Sequence, residues 1–303
     1  MTIRVGTASW TDKTLLACGR FYPAAVRDDA AGRLRYYASH FPLAEIDSSY
    51  YALPDPYVAQ SWVERTPPGF VFNIKSFRLF TGHQTPLSAL DADLRRELPR
   101  TDPATIVYAD QLPEDIREEA WRRFLMALEP LRMSGKLGAV HFQFPPWVRP
   151  DRRGLMRVSD CVQHLEEDLV AAVELRHASW YDGAARQAAT LDFLRELGAA
   201  HTVVDAPQGY DNTVPALWRA TRDDLAVVRL HGRNTAAWNS RGAASSSRFQ
   251  YEYSPEELAE LARQVRELAR RVRETHVVLN TNFEDQGMRN AQGLISALNQ
   301  TMA

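Results

Sequence analysis

Cysteine is scarce in this chain of 303 residues: only Cys18 and Cys161 occur, far apart. No disulfide framework, cysteine zinc site or CxxC redox pair can be built from them, so a reducing cytoplasm is the expected compartment. Excess charge of either sign is also missing. Thirty-six Lys and Arg face 38 Asp and Glu, a net charge of −2. That excludes a polycation held on nucleic acid or membrane by its total charge, though not a local basic patch. No segment approaches the ~18 apolar residues of a membrane span, and the opening MTIRVGTASW lacks the apolar run of a signal peptide. No two glycines are separated by a single residue, which removes GxG nucleotide loops in their usual form. A Walker lysine motif, a G-x-S-x-G elbow and the metal motifs HxH and HExxH are absent as well.

What is present is ordinary for a soluble globular protein: 45% hydrophobic and 24% charged residues. The chain is longer than a typical domain of about 100–150 residues, and close to the ~250 residues of a (β/α)₈ barrel. Short runs rich in Val and Ile read as strands at about 3–8, 43–48, 70–75, 138–144, 170–175, 201–205, 226–231 and 276–281. Helical spacing appears between them at 30–40, 119–132 and 254–274, the last opening Ser254-Pro255-Glu256-Glu257. Eight strands alternating with helices predict a single (β/α)₈ TIM-type barrel spanning the whole chain; a doubly wound sheet is the alternative. The third-to-fourth connection, about 76–137, is too long for one helix and reads as a helical insertion over one face. The polar stretch 232–253 reads as a mobile flap.

Side chains alternate along a strand, so residues two apart share a face. Glu45 pairs with Asp47, Asn73 with Lys75, His141 with Gln143, Glu174 with Arg176, His201 with Asp205, Arg229 with His231, and Asn280 with Asn282. One such residue is unremarkable, being solvent-facing or satisfied by a neighbour in most strands. Seven pairs need a common reason, because both faces of a parallel barrel strand are covered. The C-terminal mouth, where barrel enzymes carry their sites, supplies it.

The composition of that mouth bounds its chemistry. Lys75, Arg176, Arg229 and Arg233 suit a phosphate or carboxylate. Glu45, Asp47, Glu174 and Asp205 supply carboxylates, and His141, His177, His201 and His231 supply groups that titrate near neutrality. In one reading Glu45 and Glu174 are an acid/base pair, His231 carries a proton, and the cations clamp an anionic substrate. In another the acids merely balance the arginines. No cofactor is expected. A divalent metal stays open as an alternative, since the ligand types suit one but the neighbouring arginines oppose a cation. Aromatic residues follow the strands at Trp10, Tyr50, Tyr51, Trp147, Trp180, Trp238, Tyr251 and Tyr253. Most aromatics pack a core, yet these positions also suit stacking on a sugar or base.

The order of motifs carries a family resemblance. GTASW at 6–10, FYP at 21–23, LRYYASHFPLAEIDSSYY at 34–51, TPPGFVFNIK at 66–75, HFQFPP at 141–146, VELRHASWY at 173–181, VRLHGRN at 228–234 and NTNFEDQGMRNA at 280–291 resemble the DUF72 (YecE-like) family over almost the whole chain. The resemblance implies a TIM-type barrel and names no substrate. It implies a site at Glu45, Tyr51, Lys75, Gln143, Glu174, Arg176, His177, Trp180, Arg229, His231, Arg233, Asn280 and Asn282. The expectation is therefore an enzyme, hydrolase or isomerase, acting on a small anionic or sugar-like ligand. Nucleic-acid binding or metal-dependent endonuclease-like activity, and a non-catalytic metabolite-binding or scaffold role, are the alternatives. No membrane partner is expected, and the oligomeric state is not fixed by the sequence.

Overall fold

A computed structural model describes residues 1–99, 102–239 and 248–300. Eight parallel strands close on themselves: β1 Thr2–Thr7, β2 Leu43–Ile46, β3 Val71–Lys75, β4 Leu137–Gln143, β5 Ala171–Glu174, β6 Ala200–Asp205, β7 Leu225–Leu230 and β8 Glu274–Leu279. They neighbour one another in chain order, with β8 pairing back to β1, and helices run between them except from β6 to β7, which a helix-free loop at 206–224 connects. This is the (β/α)₈ barrel expected from the strand count.

Local chemistry sets the helix starts. Asp12, Asp29, Asp55 and Asp151 each accept a backbone N–H of the helix that follows, and Ser254 forms a reciprocal capping box with Glu257. The connection from β3 to β4 holds a two-residue antiparallel ribbon (Thr85–Pro86 with Ile106–Val107), a short helix Ala92–Arg96, and the 20-residue helix Glu114–Met133. That long helix packs beside Pro56–Glu64, so it serves as the crossover helix, and the extra structure precedes it. Of the stretch 232–253, residues 240–247 lie outside the described residues; Trp238 and Tyr253 on either side are buried.

Away from the charged residues the barrel interior is lined largely by small and branched side chains, one group being Ala139, Ala172, Ala200, Leu225 and Val227, another Ala8, Leu43, Val71 and Val278. Two glycines make this closeness feasible. A Cβ on Gly6 would fall 1.9 Å from the Leu43 carbonyl oxygen, where β1 meets β2. One on Gly138 would fall 2.6 Å from Asn73 Oδ1 and 2.7 Å from His276 Cε1, beside the bulge where β3 and β4 shift register. Small residues at these positions leave the rest of the interior to large polar ones.

Candidate active site

The upper layer is built around Arg229, on β7. Its Nη1 donates to Glu174 Oε2 at 2.7 Å and its Nη2 to Glu45 Oε1 at 2.6 Å. All three side chains are 0% exposed. Three charges out of water persist only because each is paired and hydrogen-bonded. Glu174 is then saturated by others. Its Oε1 accepts from Gln143 Nε2 at 2.6 Å and Arg176 Nη1 at 2.8 Å, with His231 Nε2 at 3.3 Å. On the other oxygen, His141 Nε2 stands at 3.4 Å.

These contacts fix protonation. Burial alone would raise both carboxyls, but Arg229 and the adjacent histidines hold Glu174 well below the usual carboxylate range. Glu45 is likewise depressed against burial, by Arg229, His141 and Lys75. Both are ionised and neither is a proton donor at neutral pH. Glu45 Oε2 differs from the other three oxygens, for it is buried and accepts no hydrogen bond. Asp47, two residues on, is pushed above the ordinary range by burial and by Glu45, with Lys75 opposing. Burial and neighbouring charge thus drive the two carboxyl groups apart, Glu45 down and Asp47 up.

His231 is held as a neutral imidazole. Burial lowers it to about 4, although Glu174 opposes that shift. Asn280 Nδ2 donates to its Nδ1 at 2.8 Å, leaving the proton on Nε2, toward Glu174. Trp238 roofs this group: the Arg176 guanidinium lies 5.2 Å from its ring centroid, and Phe249 lies 5.6 Å from the His231 ring.

Two cations reach the mouth. Arg176 and Lys75 both keep partly exposed side chains, Lys75 lying 3.4 Å from Asp47 and 4.6 Å above the Tyr50 ring. Beside Tyr50 stands His83, lowered to about 3 by burial and by Lys75, Arg78 and Arg176. A cavity of about 420 Å³ opens at the ends of β1 and β2, lined by Trp10, Glu45, Asp47, Ser48 and Trp62 among others.

Strand parity thus brings together Glu45, Lys75, Gln143, Glu174, Arg176, Arg229, His231 and Asn280. It brings Asp47 and His141 with them. Several expected residues sit elsewhere. Trp180 is buried under the fold, its indole donating to the Val148 carbonyl. Arg233 turns away to pair with Asp205 and Glu257, because Gly232 at φ 81° reverses the chain after His231. Asn282 lies past the end of β8, where its backbone carbonyl accepts from Thr14. His177 caps its own 3₁₀ turn, accepting from the Ser179 N–H, and Tyr51 stands 59% exposed on the rim against Tyr50. His201 faces outward, since Ala200 takes the inward position in β6, and contacts the Leu217 carbonyl. Trp10 packs on Tyr37, Trp62 and Phe72, with the cavity on one side. His83 and Phe249 join the site from loops, where alternation gives no signal.

Among the described residues no group of three or more His, Cys, Asp or Glu side chains is placed to hold a metal ion. Nor, among them, is any helix long and apolar enough to cross a membrane.

Fold and site together define a (β/α)₈ barrel with a buried charged core beneath a C-terminal mouth that carries Lys75, Arg176 and Asp47. The chain belongs to the DUF72 family: the profile described as "Protein of unknown function DUF72" matches residues 4–303. It is 29% identical to the UPF0759 protein YunF of Bacillus subtilis (strain 168), covering 98% of this chain and 94% of that one. Crystal structures of DUF72 proteins from Enterococcus faecalis V583 and Thermotoga maritima MSB8 each superpose with a TM-score of 0.76 at 27% identity. The first alignment covers 100% of this chain and 97% of the other, the second 99% and 100%.

Proposed function

We propose that this protein is an enzyme acting by acid/base chemistry on a small anionic substrate, a phosphorylated or carboxylated sugar-like compound, bound at the C-terminal mouth of the barrel. The observation that carries the reading is the pairing of two part-exposed cations, Arg176 and Lys75, with an ionised Glu45 whose Oε2 accepts no hydrogen bond. The cations hold the anionic group and acidify the neighbouring positions of the substrate. That matters because a carboxylate held below its usual range is a weak base and needs an acidified proton. Glu45 takes that proton, Asp47 returns one, and Trp10 and Trp62 flank the space beside them. Glu174 has no free acceptor and acts as the positioning residue that orients Arg176, Gln143 and His231. The two unpaired cysteines suit a cytoplasmic setting.

Thermal-shift measurement with a panel of sugar phosphates and sugar acids, followed by NMR detection of turnover, tests the reading. A hit is expected to stabilise the wild type, to lose that effect in Arg176→Gln, and to keep it without turnover in Glu45→Gln. Stabilisation that survives Arg176→Gln, or turnover that survives Glu45→Gln, contradicts it.

A further inference from the structure

Among the described residues, three neighbouring arginines stand together without a carboxylate partner. Arg149, Arg153 and Arg157 line a cleft of about 580 Å³ outside the barrel, between the loop at 82–84, the segment 108–111 and the start of helix Arg152–Gln163. Among the described residues none of the three makes a side-chain ion pair or hydrogen bond. Two carboxylates share the cleft. Asp151 has one oxygen committed to the Gly154 N–H at 2.9 Å, and Asp110 stands on the opposite wall, so three cations outnumber the acids. The turn that carries the arginines is tight: a Cβ at Gly154 would lie 1.9 Å from the Arg149 carbonyl oxygen.

An aromatic face completes the cleft. Trp147 is 55% exposed, yet its indole N–H is anchored to the Gly82 carbonyl at 3.3 Å. A large ring held in place and facing water offers a stacking surface at little entropic cost. From Trp147, His83 at 5.8 Å and then Tyr50 at 5.2 Å lead to Lys75 in the mouth. The cleft therefore adjoins the mouth without sharing its cations.

We infer that this cleft is a second anion-binding site, taking the phosphates of a nucleotide-type ligand on Arg149, Arg153 and Arg157 while the ligand's ring stacks on Trp147. Guanidinium groups suit phosphate oxygens through paired N–H donors, and an exposed indole suits a planar base. A free nucleotide and a single-stranded nucleic acid share that chemistry. The site goes beyond the reading of the mouth and does not depend on any catalysis there.

Calorimetric titration of the full chain with tripolyphosphate, adenosine triphosphate and a short single-stranded oligothymidylate tests the inference. Arg149 and Arg153 are exposed, so Arg149→Gln/Arg153→Gln keeps the fold, which an unchanged melting temperature checks. Binding is expected to weaken at least about tenfold in that variant, the loss of one or more charge-assisted hydrogen bonds. It is expected to persist in Arg176→Gln and to fall steeply with salt. Trp147→Ala is expected to erase the preference for adenosine triphosphate over tripolyphosphate. Tighter binding of the oligothymidylate than of the nucleotide identifies a strand as the source, and the reverse identifies a free nucleotide. Binding that survives Arg149→Gln/Arg153→Gln and disappears in Arg176→Gln overturns the inference and leaves the mouth reading standing. Absence of binding by all three probes also overturns it.

Discussion

Arg229 Nη1 lies 2.7 Å from Glu174 Oε2, with neither side chain touching solvent. Together with Glu45 on its other nitrogen, this pairing joins three strands across the barrel axis, β2, β5 and β7. The charged core is thus both a structural tie and the device that keeps two carboxylates ionised beneath the mouth.

Removing its centre should be costly. Arg229→Met removes the cation shared by two buried carboxylates, leaving Glu45 without its hydrogen-bonded partner and Glu174 with Arg176 as its remaining arginine, and the expected loss is about 3–5 kcal/mol. Urea unfolding followed by circular dichroism measures it. Adding Glu45→Gln and Glu174→Gln should recover much of the loss, because the triple variant buries no unpaired charge. A single variant as stable as the wild type contradicts the assignment.

Stability should depend on pH in a defined window. Burial places His231 and His201 at about 4 and His83 at about 3, against ~6.5 in the unfolded chain. As pH falls below ~6.5 the unfolded chain gains protons that the fold refuses, so stability is full above that value and declines toward 4. Glu45 and Glu174 act in the same direction lower down: their depressed pKa values stabilise the fold above the ordinary carboxylate range and lose that contribution as pH falls through it. The denaturation midpoint measured from pH 8 to pH 5 should fall, and fall less in His201→Leu. A flat profile contradicts this account.

Asn280 should govern the tautomer of His231. With Asn280→Asp, a carboxylate oxygen replaces the donor at Nδ1, favouring the imidazolium and raising its pKa by about a unit or more. Nitrogen NMR shifts of His231 read this directly. In the wild type the ring is expected to stay neutral from pH 8 to 5.5, with the proton on Nε2. A wild-type titration near 6.5 would falsify the assigned environment.

The two mouth cations should be separable. Lys75→Gln leaves Asp47 without its opposing charge, so Asp47 should titrate still higher, while Arg176→Gln removes anion contact and uncovers part of Glu174. Binding of an anionic substrate should weaken in both variants, by about tenfold or more. Only the Lys75 variant should move an Asp47-linked limb of the pH–rate profile. Identical profiles in the two variants contradict the division of roles.

Much of this was legible in the sequence, for a physical reason. Glu45, Glu174, Arg229 and Asn280 lie within a strand or at its end, where the two-residue period assigns a face without further information. The period fails where the strand stops. Gly232 reverses the chain, so Arg233 lands on Asp205 although it continues the spacing of Arg229 and His231. Beyond β8 the strand geometry ends, and Asn282 lines a small pocket with Thr7, Asp12 and Leu15. Parity also gives alternation without its phase. His201 and Asp205 share a face as expected, but Ala200 occupies the interior and turns both outward. Trp180 shows the limit of reading aromatics: a residue just past a strand can as readily pack the core. His83, Phe249 and Arg149 come from loops, whose course no local pattern dictates, and Arg153 and Arg157 join Arg149 from the first turns of the helix that follows it.

The measurement that bears most directly on the central claim is a crystal structure grown with millimolar inorganic phosphate, compared with one of Arg176→Gln. Tetrahedral density within hydrogen-bond distance of Arg176 and Lys75, absent in the variant, is the predicted result. A mouth without phosphate in the wild type, or density there that is unchanged by Arg176→Gln, would contradict the anion site on which the proposed chemistry rests.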